Sequence, residues 1–126
     1  MARKAITPPR TKSAGPYSPG IDAGDLVFLS GQTPLDPLTG ALAEGGIGAQ
    51  TEQCFKNLFA VLDAGNLGPG DVVKVTVFLT NMADFAAMNE VYKRQFSEPY
   101  PARSTIGVAA LPLGASVEIE FIARRK

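Results

Sequence analysis

The stretch that most narrows what this chain can fold into is Val72-Val73-Lys74-Val75-Thr76-Val77-Phe78-Leu79-Thr80. It is almost continuously apolar and rich in β-branched residues, the composition of a strand packed inside a sheet. Gly68-Pro69-Gly70-Asp71 breaks the chain immediately before it. Lys74, Thr76 and Thr80 are the interruptions, so one face meets a core while the other is partly polar or packed against something.

The remaining elements assemble around that strand. Asp22-Ala23-Gly24-Asp25 is turn chemistry and Leu26–Ser30 a buried-looking strand, which predicts a hairpin with Ser18–Ile21 as its first arm. Residues 1–14 are expected to be irregular, and the Pro- and Gly-rich stretch 7–20 to be loop or irregular edge. Pro34 to Gly48 reads as a long connection with a short edge strand around Ala41–Leu42. Phe55, Leu58, Phe59 and Leu62 fall at helical spacing, with Thr51 as N-cap or first-turn residue and Gly65 at the left-handed C′ position. A second helix is predicted from Asn81–Asp84 to about Phe96, capped by Asp84. Phe85, Met88, Val91 or Tyr92, and Phe96 form its buried stripe, and Asn89 falls off it. Pro101 keeps Tyr100 out of helix, and a strand starts at Thr105. After a turn at Leu111-Pro112-Leu113-Gly114, Val117–Ala123 is the last strand.

The fold class is α+β, one domain over residues 1–126 with two helices on one face of a mixed β-sheet. The other face carries Thr76, Glu118 and Glu120 among apolar residues, neither a clean core nor a clean solvent surface. That mixture predicts a homo-oligomer whose sheets pack around a closed symmetry axis.

Composition removes several chemistries. Twelve basic residues balance twelve acidic ones in 126, which argues against a strongly charged nucleic-acid binder or a membrane-surface protein. The basic residues at the ends (Arg3, Lys4, Arg10, Lys12, Arg124, Arg125, Lys126) are read as solvated. There is no histidine, so acid–base work falls to carboxylate, tyrosine, cysteine, lysine or water, and His-dependent triads and metal sites are excluded. The single cysteine, Cys54, can neither close an internal disulfide nor build a zinc cluster, and it reads as a small buried hydrophobe. No apolar run approaches the ~20 residues that span a bilayer. The first residues lack the apolar core of a secretory signal, so a cytoplasmic protein is the expectation.

A few side chains stand out for chemistry. Arg103, at the mouth of the Thr105 strand, offers a planar fork suited to a carboxylate, or is a surface arginine. Tyr17 either pins its loop or turns its hydroxyl to a pocket. Gly31, after Ser30, permits close backbone approach by a ligand or another chain. Asn89 is a surface residue or braces a loop over a site. Glu118 and Glu120 share one face of the last strand. On a solvated edge they do nothing; confined against another subunit they become acid–base candidates.

Gly15-Pro16-Tyr17-Ser18-Pro19-Gly20, Ser30-Gly31-Gln32, Asp84-Phe85 through Asn89 and Tyr92, Pro101-Ala102-Arg103-Ser104 and Val117-Glu118-Ile119-Glu120 together resemble the RidA family of enamine/imine deaminases, also called YjgF-type. The likeness runs in order from Gly15 to Ala123. It implies a chorismate-mutase-like fold, a homotrimer with sites in the clefts between subunits, and chemistry that needs neither metal nor organic cofactor. Carried onto this sequence, it implies that Arg103 binds the carboxylate of a small-molecule substrate and that main chain at Gly31 and Thr105 lines the pocket. Glu118 would position or activate water, and Tyr17, Ser30 and Asn89 would complete the site. The implied reaction is hydrolysis of 2-imino or 2-enamino acids, such as 2-aminoacrylate, to 2-keto acids and ammonia. The alternative is a regulatory trimer that binds such acids without significant turnover. Many members carry Cys at the position of Thr105 and an acidic residue at that of Gly107, where glycine is expected to leave a gap or added flexibility near the pocket. Nucleic-acid chemistry is disfavoured by the balanced charge.

Overall fold

The computed structural model describes residues 3–9, 11 and 15–125, so Arg10, Lys12 and Lys126 of the basic ends, with residues 1, 2, 13 and 14, lie outside the described residues. Its one sheet holds β1 (Lys4–Ile6), β2 (Gly20–Asp22), β3 (Leu26–Gln32), β4 (Val72–Leu79), β5 (Ala102–Gly107) and β6 (Val117–Arg124). The strand order is β1-β2-β3-β6-β4-β5. All neighbours run antiparallel except β4 and β5, which are parallel. Two helices, α1 (Gly46–Ala64) and α2 (Phe85–Tyr92), pack on the sheet. The second lies in the β4-to-β5 connection, the crossover that a parallel pair requires.

Strand alternation decides which residues meet the helices. Val75, Val77 and Leu79 of β4, Val117, Ile119, Phe121 and Ala123 of β6, and Val27 and Leu29 of β3 join Phe55, Leu58, Leu62, Met88 and Tyr92 in one core. Phe55, Phe59, Tyr92, Phe96 and Phe121 stack at ring-centroid distances such as 5.9 Å (Phe55–Phe121) and 5.4 Å (Tyr92–Phe96), the offset and edge-on spacings aromatic rings prefer. The alternate residues, Lys74, Thr76 and Phe78 of β4 and Glu118, Glu120 and Ile122 of β6, point to the face without helices. Phe28 and Ile106 remain exposed.

Several local expectations need correction. The segment expected to be irregular contributes β1, which extends the sheet by pairing with β2, and its Ile6 is buried. Around Ala41–Leu42 there is a single bridge, Leu35 to Leu42, rather than an edge strand. The first helix starts at Gly46, not Thr51, because Gly45 and Gly46 adopt φ of 111° and 85°, conformations only glycine takes cheaply. Thr51 sits inside the helix, buried, its hydroxyl donating to the Ile47 carbonyl. At the other end Asn66, not Gly65, takes the left-handed position (φ 60°), and Leu67 N donates back to Leu62 O. Gly65 is small for another reason: a Cβ there would lie 3.0 Å from Ile6 Cδ1.

The second helix is shorter than its stripe, ending at Tyr92, and Asn81 rather than Asp84 caps the short 3-10 turn before it by accepting from Ala83 N. The fifth strand begins at Ala102, so Arg103 is inside it rather than at its mouth. Arg125 is not a solvated end. It donates to the Gly65 carbonyl and pairs with Asp22 at 3.0 Å, locking the end of β6 onto the β2–β3 turn. Among the described residues no helix is long and apolar enough to cross a membrane.

Candidate functional site

Arg103 and Thr105 lie opposite Val75 and Val77 in the parallel pairing, so both sit on the helix side of the sheet. There Arg103 Nη1 donates to Asn89 Oδ1 at 2.7 Å. The guanidinium carbon lies 4.5 Å from the Tyr92 ring centroid and 5.5 Å from that of Phe85. Phe85, Asn89 and Tyr92 follow at i, i+4 and i+7, one face of α2. Asn89 is therefore on the working stripe and braces the arginine, not a loop. Arg103 has no carboxylate partner: among the described residues the ion pairs are Lys93–Glu90, Arg94–Glu52 and Arg125–Asp22. It opens instead on a hollow of about 410 Å³ lined by Asn89, Tyr92, Lys93, Tyr100, Pro101 and Arg103. A guanidinium with this much room and no acid beside it has donors free for an anion.

Glu118 is elsewhere. It pairs with Phe78 across the ladder and projects from the helix-free face, with Gly31 directly beneath its carboxylate: any Cβ at Gly31 would collide with Glu118 Oε2. A register shift in β3 between Leu29 and Gln32 brings Gly31 to this place. Burial first, and the neighbouring Glu120 charge second, hold the Glu118 carboxyl above its ordinary range. Ser30 closes the same end of β3, its hydroxyl donating to the Ser18 carbonyl at 2.6 Å and its N–H to that of Pro19. Ser30 thus ties down the loop that carries Tyr17, whose side chain is half exposed.

The residues expected to form one site therefore fall into two groups on opposite faces of one chain's sheet. Arg103, Asn89 and Thr105 belong to the helix face, Glu118 and Gly31 to the open face. Thr105 Oγ1 and the Tyr92 hydroxyl are both buried and find no hydrogen-bond partner among the described residues. Gly107 leaves no gap, because Met82 fills it; a Cβ there would lie 3.1 Å from Met82 Cγ. Cys54 is buried under β6, donating to the carbonyls of Gln32 and Val117. Burial, and then the Glu118 charge, push its thiol far up, so it is no nucleophile. No cluster of three metal-ligating side chains occurs among the described residues.

The seat that Phe85 and Tyr92 make for Arg103 escaped sequence reasoning. The i, i+4, i+7 spacing of Phe85, Asn89 and Tyr92 was the signal available. It reads as ordinary core until the crossover places β5 beside α2.

The sequence matches the model of the family described as Endoribonuclease L-PSP over residues 7–125. It is 51% identical over 126 residues to Protein DfrA of Myxococcus xanthus, covering 98% of this chain and 96% of the relative. It is 43% identical to the 2-iminobutanoate/2-iminopropanoate deaminase of Salmonella typhimurium over the full length of both. The structure of Escherichia coli TdcF with bound serine superposes with a TM-score of 0.92 at 42% identity, covering 98% of this chain and 99% of that one. The chain belongs to this Endoribonuclease L-PSP family, the RidA family of the sequence resemblance.

Proposed function

We propose that the protein is a homotrimer of chorismate-mutase-like fold that hydrolyses 2-imino or 2-enamino acids to 2-keto acids and ammonia at sites shared between subunits. The observation that carries this reading is the unpaired Arg103 guanidinium on one face and the raised-pKa Glu118 carboxylate on the other. Neither half can do the chemistry alone, and a second copy packed on the open face would bring one to the other. Support for the substrate class comes from relatives named 2-iminobutanoate/2-iminopropanoate deaminase. TdcF crystallised with serine, a small molecule that carries a carboxylate, supports the same class of ligand.

In the reaction Arg103 of one subunit holds the substrate carboxylate, with main chain at Thr105 beside it. A 2-enamino acid first gains a proton on its β-carbon and loses one from nitrogen to become the imine. Glu118 of the next subunit then takes a proton from a water that adds to the C=N carbon and returns it to nitrogen. Collapse of the carbinolamine releases ammonia and leaves the keto acid. Tyr17, Ser30 and Gly31 shape the Glu118 half and Asn89 the Arg103 half. An RNA-cleaving role is not carried over from the family description, because twelve basic residues balance twelve acidic ones in the sequence.

Mixing two inactive variants tests the shared site. Arg103→Ala and Glu118→Gln trimers should each be nearly inactive on freshly generated 2-aminoacrylate. Unfolded and refolded together in equal amounts, they should regain roughly a quarter of wild-type activity, the random fraction of sites that draw both intact residues from different chains. Mixed trimers with no recovered turnover would overturn the shared site. Full binding of a 2-keto acid by a wild-type protein with no turnover would leave a regulatory binder.

A further inference from the structure

The geometry points to Tyr92 as a positioning residue for Arg103: its ring face, not its hydroxyl, holds the guanidinium in place and ready for the ligand carboxylate. This rests on the reading of Arg103 as the carboxylate anchor. An arginine gives up considerable rotamer freedom when it grips a ligand, and any freedom removed beforehand is not lost again on binding. Here two contacts remove it in advance. Asn89 Oδ1 holds one terminal nitrogen at 2.7 Å, which sets the roll of the fork. The Tyr92 ring lies under the guanidinium carbon at 4.5 Å, well inside the ~6 Å reach of a cation–π contact.

The choice of Tyr92 over Phe85 follows from distance and burial. Phe85 is 5.5 Å away and only partly buried, whereas Tyr92 is 4% exposed and is clamped by Phe55 and Phe96. A ring that cannot move makes a fixed platform. The Tyr92 hydroxyl is buried without a hydrogen-bond partner among the described residues, so the contact with Arg103 is made by the ring. A neutral asparagine and a neutral ring also leave the arginine's charge uncompensated. A carboxylate in either place would compete with the ligand.

Progressive fluorination of the ring separates this role from packing. Tyr92→Phe is the reference, and Tyr92 replaced by mono-, di- or trifluorophenylalanine keeps that shape while draining the negative face of the ring. The trimer carrying each is titrated with 2-oxobutanoate in a calorimeter, and its thermal midpoint is measured alongside. The dissociation constant should rise stepwise along the series, reaching roughly tenfold at the trifluoro variant, while the thermal midpoint stays level. KM should follow the same trend more strongly than kcat. A flat binding series would overturn the role of the ring. Arg103→Ala is the control that keeps the two ideas apart. If it binds 2-oxobutanoate as tightly as wild type, the anchor itself is wrong. If it loses binding while the fluorinated series stays flat, only the platform fails.

Discussion

The two faces of the sheet are built from the same strands and have opposite fates. On the helix face Val75, Val77, Leu79, Val117 and Ile119 are fully buried, covered by α1 and α2 of the same chain. On the open face Phe28 and Ile106 are 42% and 45% exposed beside Glu118, Glu120, Lys74 and Thr76. One face is closed by its own chain. The other mixes apolar residues with Glu118 and Glu120, whose carboxylates find no hydrogen-bond or ion-pair partner among the described residues, while Lys74 donates to Ser104 at 2.9 Å. Chemistry can therefore reside at two places: the rim of the helix face, where Arg103 emerges, and the open face, where burial holds the Glu118 carboxyl above its ordinary range.

The largest break in that comparison is Glu118→Gln. Removing the base should lower kcat by roughly 10²–10⁴-fold with little change in KM, measured with freshly generated imine. The same variant has a stability signature. The folded state raises the carboxyl pKa, so it binds that proton more tightly than the unfolded chain does. The resulting stabilisation is present below ~pH 4.3 and lost as pH rises through the raised value. Glu118→Gln should therefore raise the thermal midpoint at pH 7, and the gain should vanish as the pH falls below ~4.3. An unchanged midpoint at pH 7 would show Glu118 to be an ordinary solvated carboxylate, and a lower one would show that its ionised form stabilises the fold.

Gly31→Ala comes next. The added methyl must displace the Glu118 carboxylate, and a misplacement near 1 Å lowers turnover by up to roughly 10²-fold. Carboxylate binding at Arg103, on the other face, should change less than kcat. Equal losses in KM and kcat would mean that Gly31 does not serve Glu118. The smallest effect is expected in the closed core. Cys54, buried and with its thiol pushed up, should resist an aromatic disulfide reagent at pH 8 in the native protein and react fully once it is denatured. Rapid native labelling would mean that the core opens readily beneath β6.

Much of this was legible in order along the chain. The apolar run of β4, the alternation of β6 and the helical spacing of Phe55, Leu58, Phe59 and Leu62 each name a local element through periodicity. Arg103, Glu118, Gly31 and Asn89 stood out as residue types suited to a carboxylate site. Boundaries were less legible. Thr51 looks like a cap, yet the helix starts five residues earlier at paired glycines. The β1 strand is three residues long and exists only because β2 offers an edge.

Residue order alone sets which side chains alternate, where the turns must fall, and that no histidine chemistry is available. It could not determine which face of the sheet each candidate joins. That depends on the parallel pairing of β4 with β5, which sets Arg103 opposite Val75, and on the antiparallel pairing of β4 with β6, which sets Glu118 opposite Phe78. Register is a long-range property, and a shift of one residue reverses every side chain. Arg103 therefore rests on Tyr92, and Glu118 lies on the far side of the sheet, through pairings that no local stretch of the chain encodes.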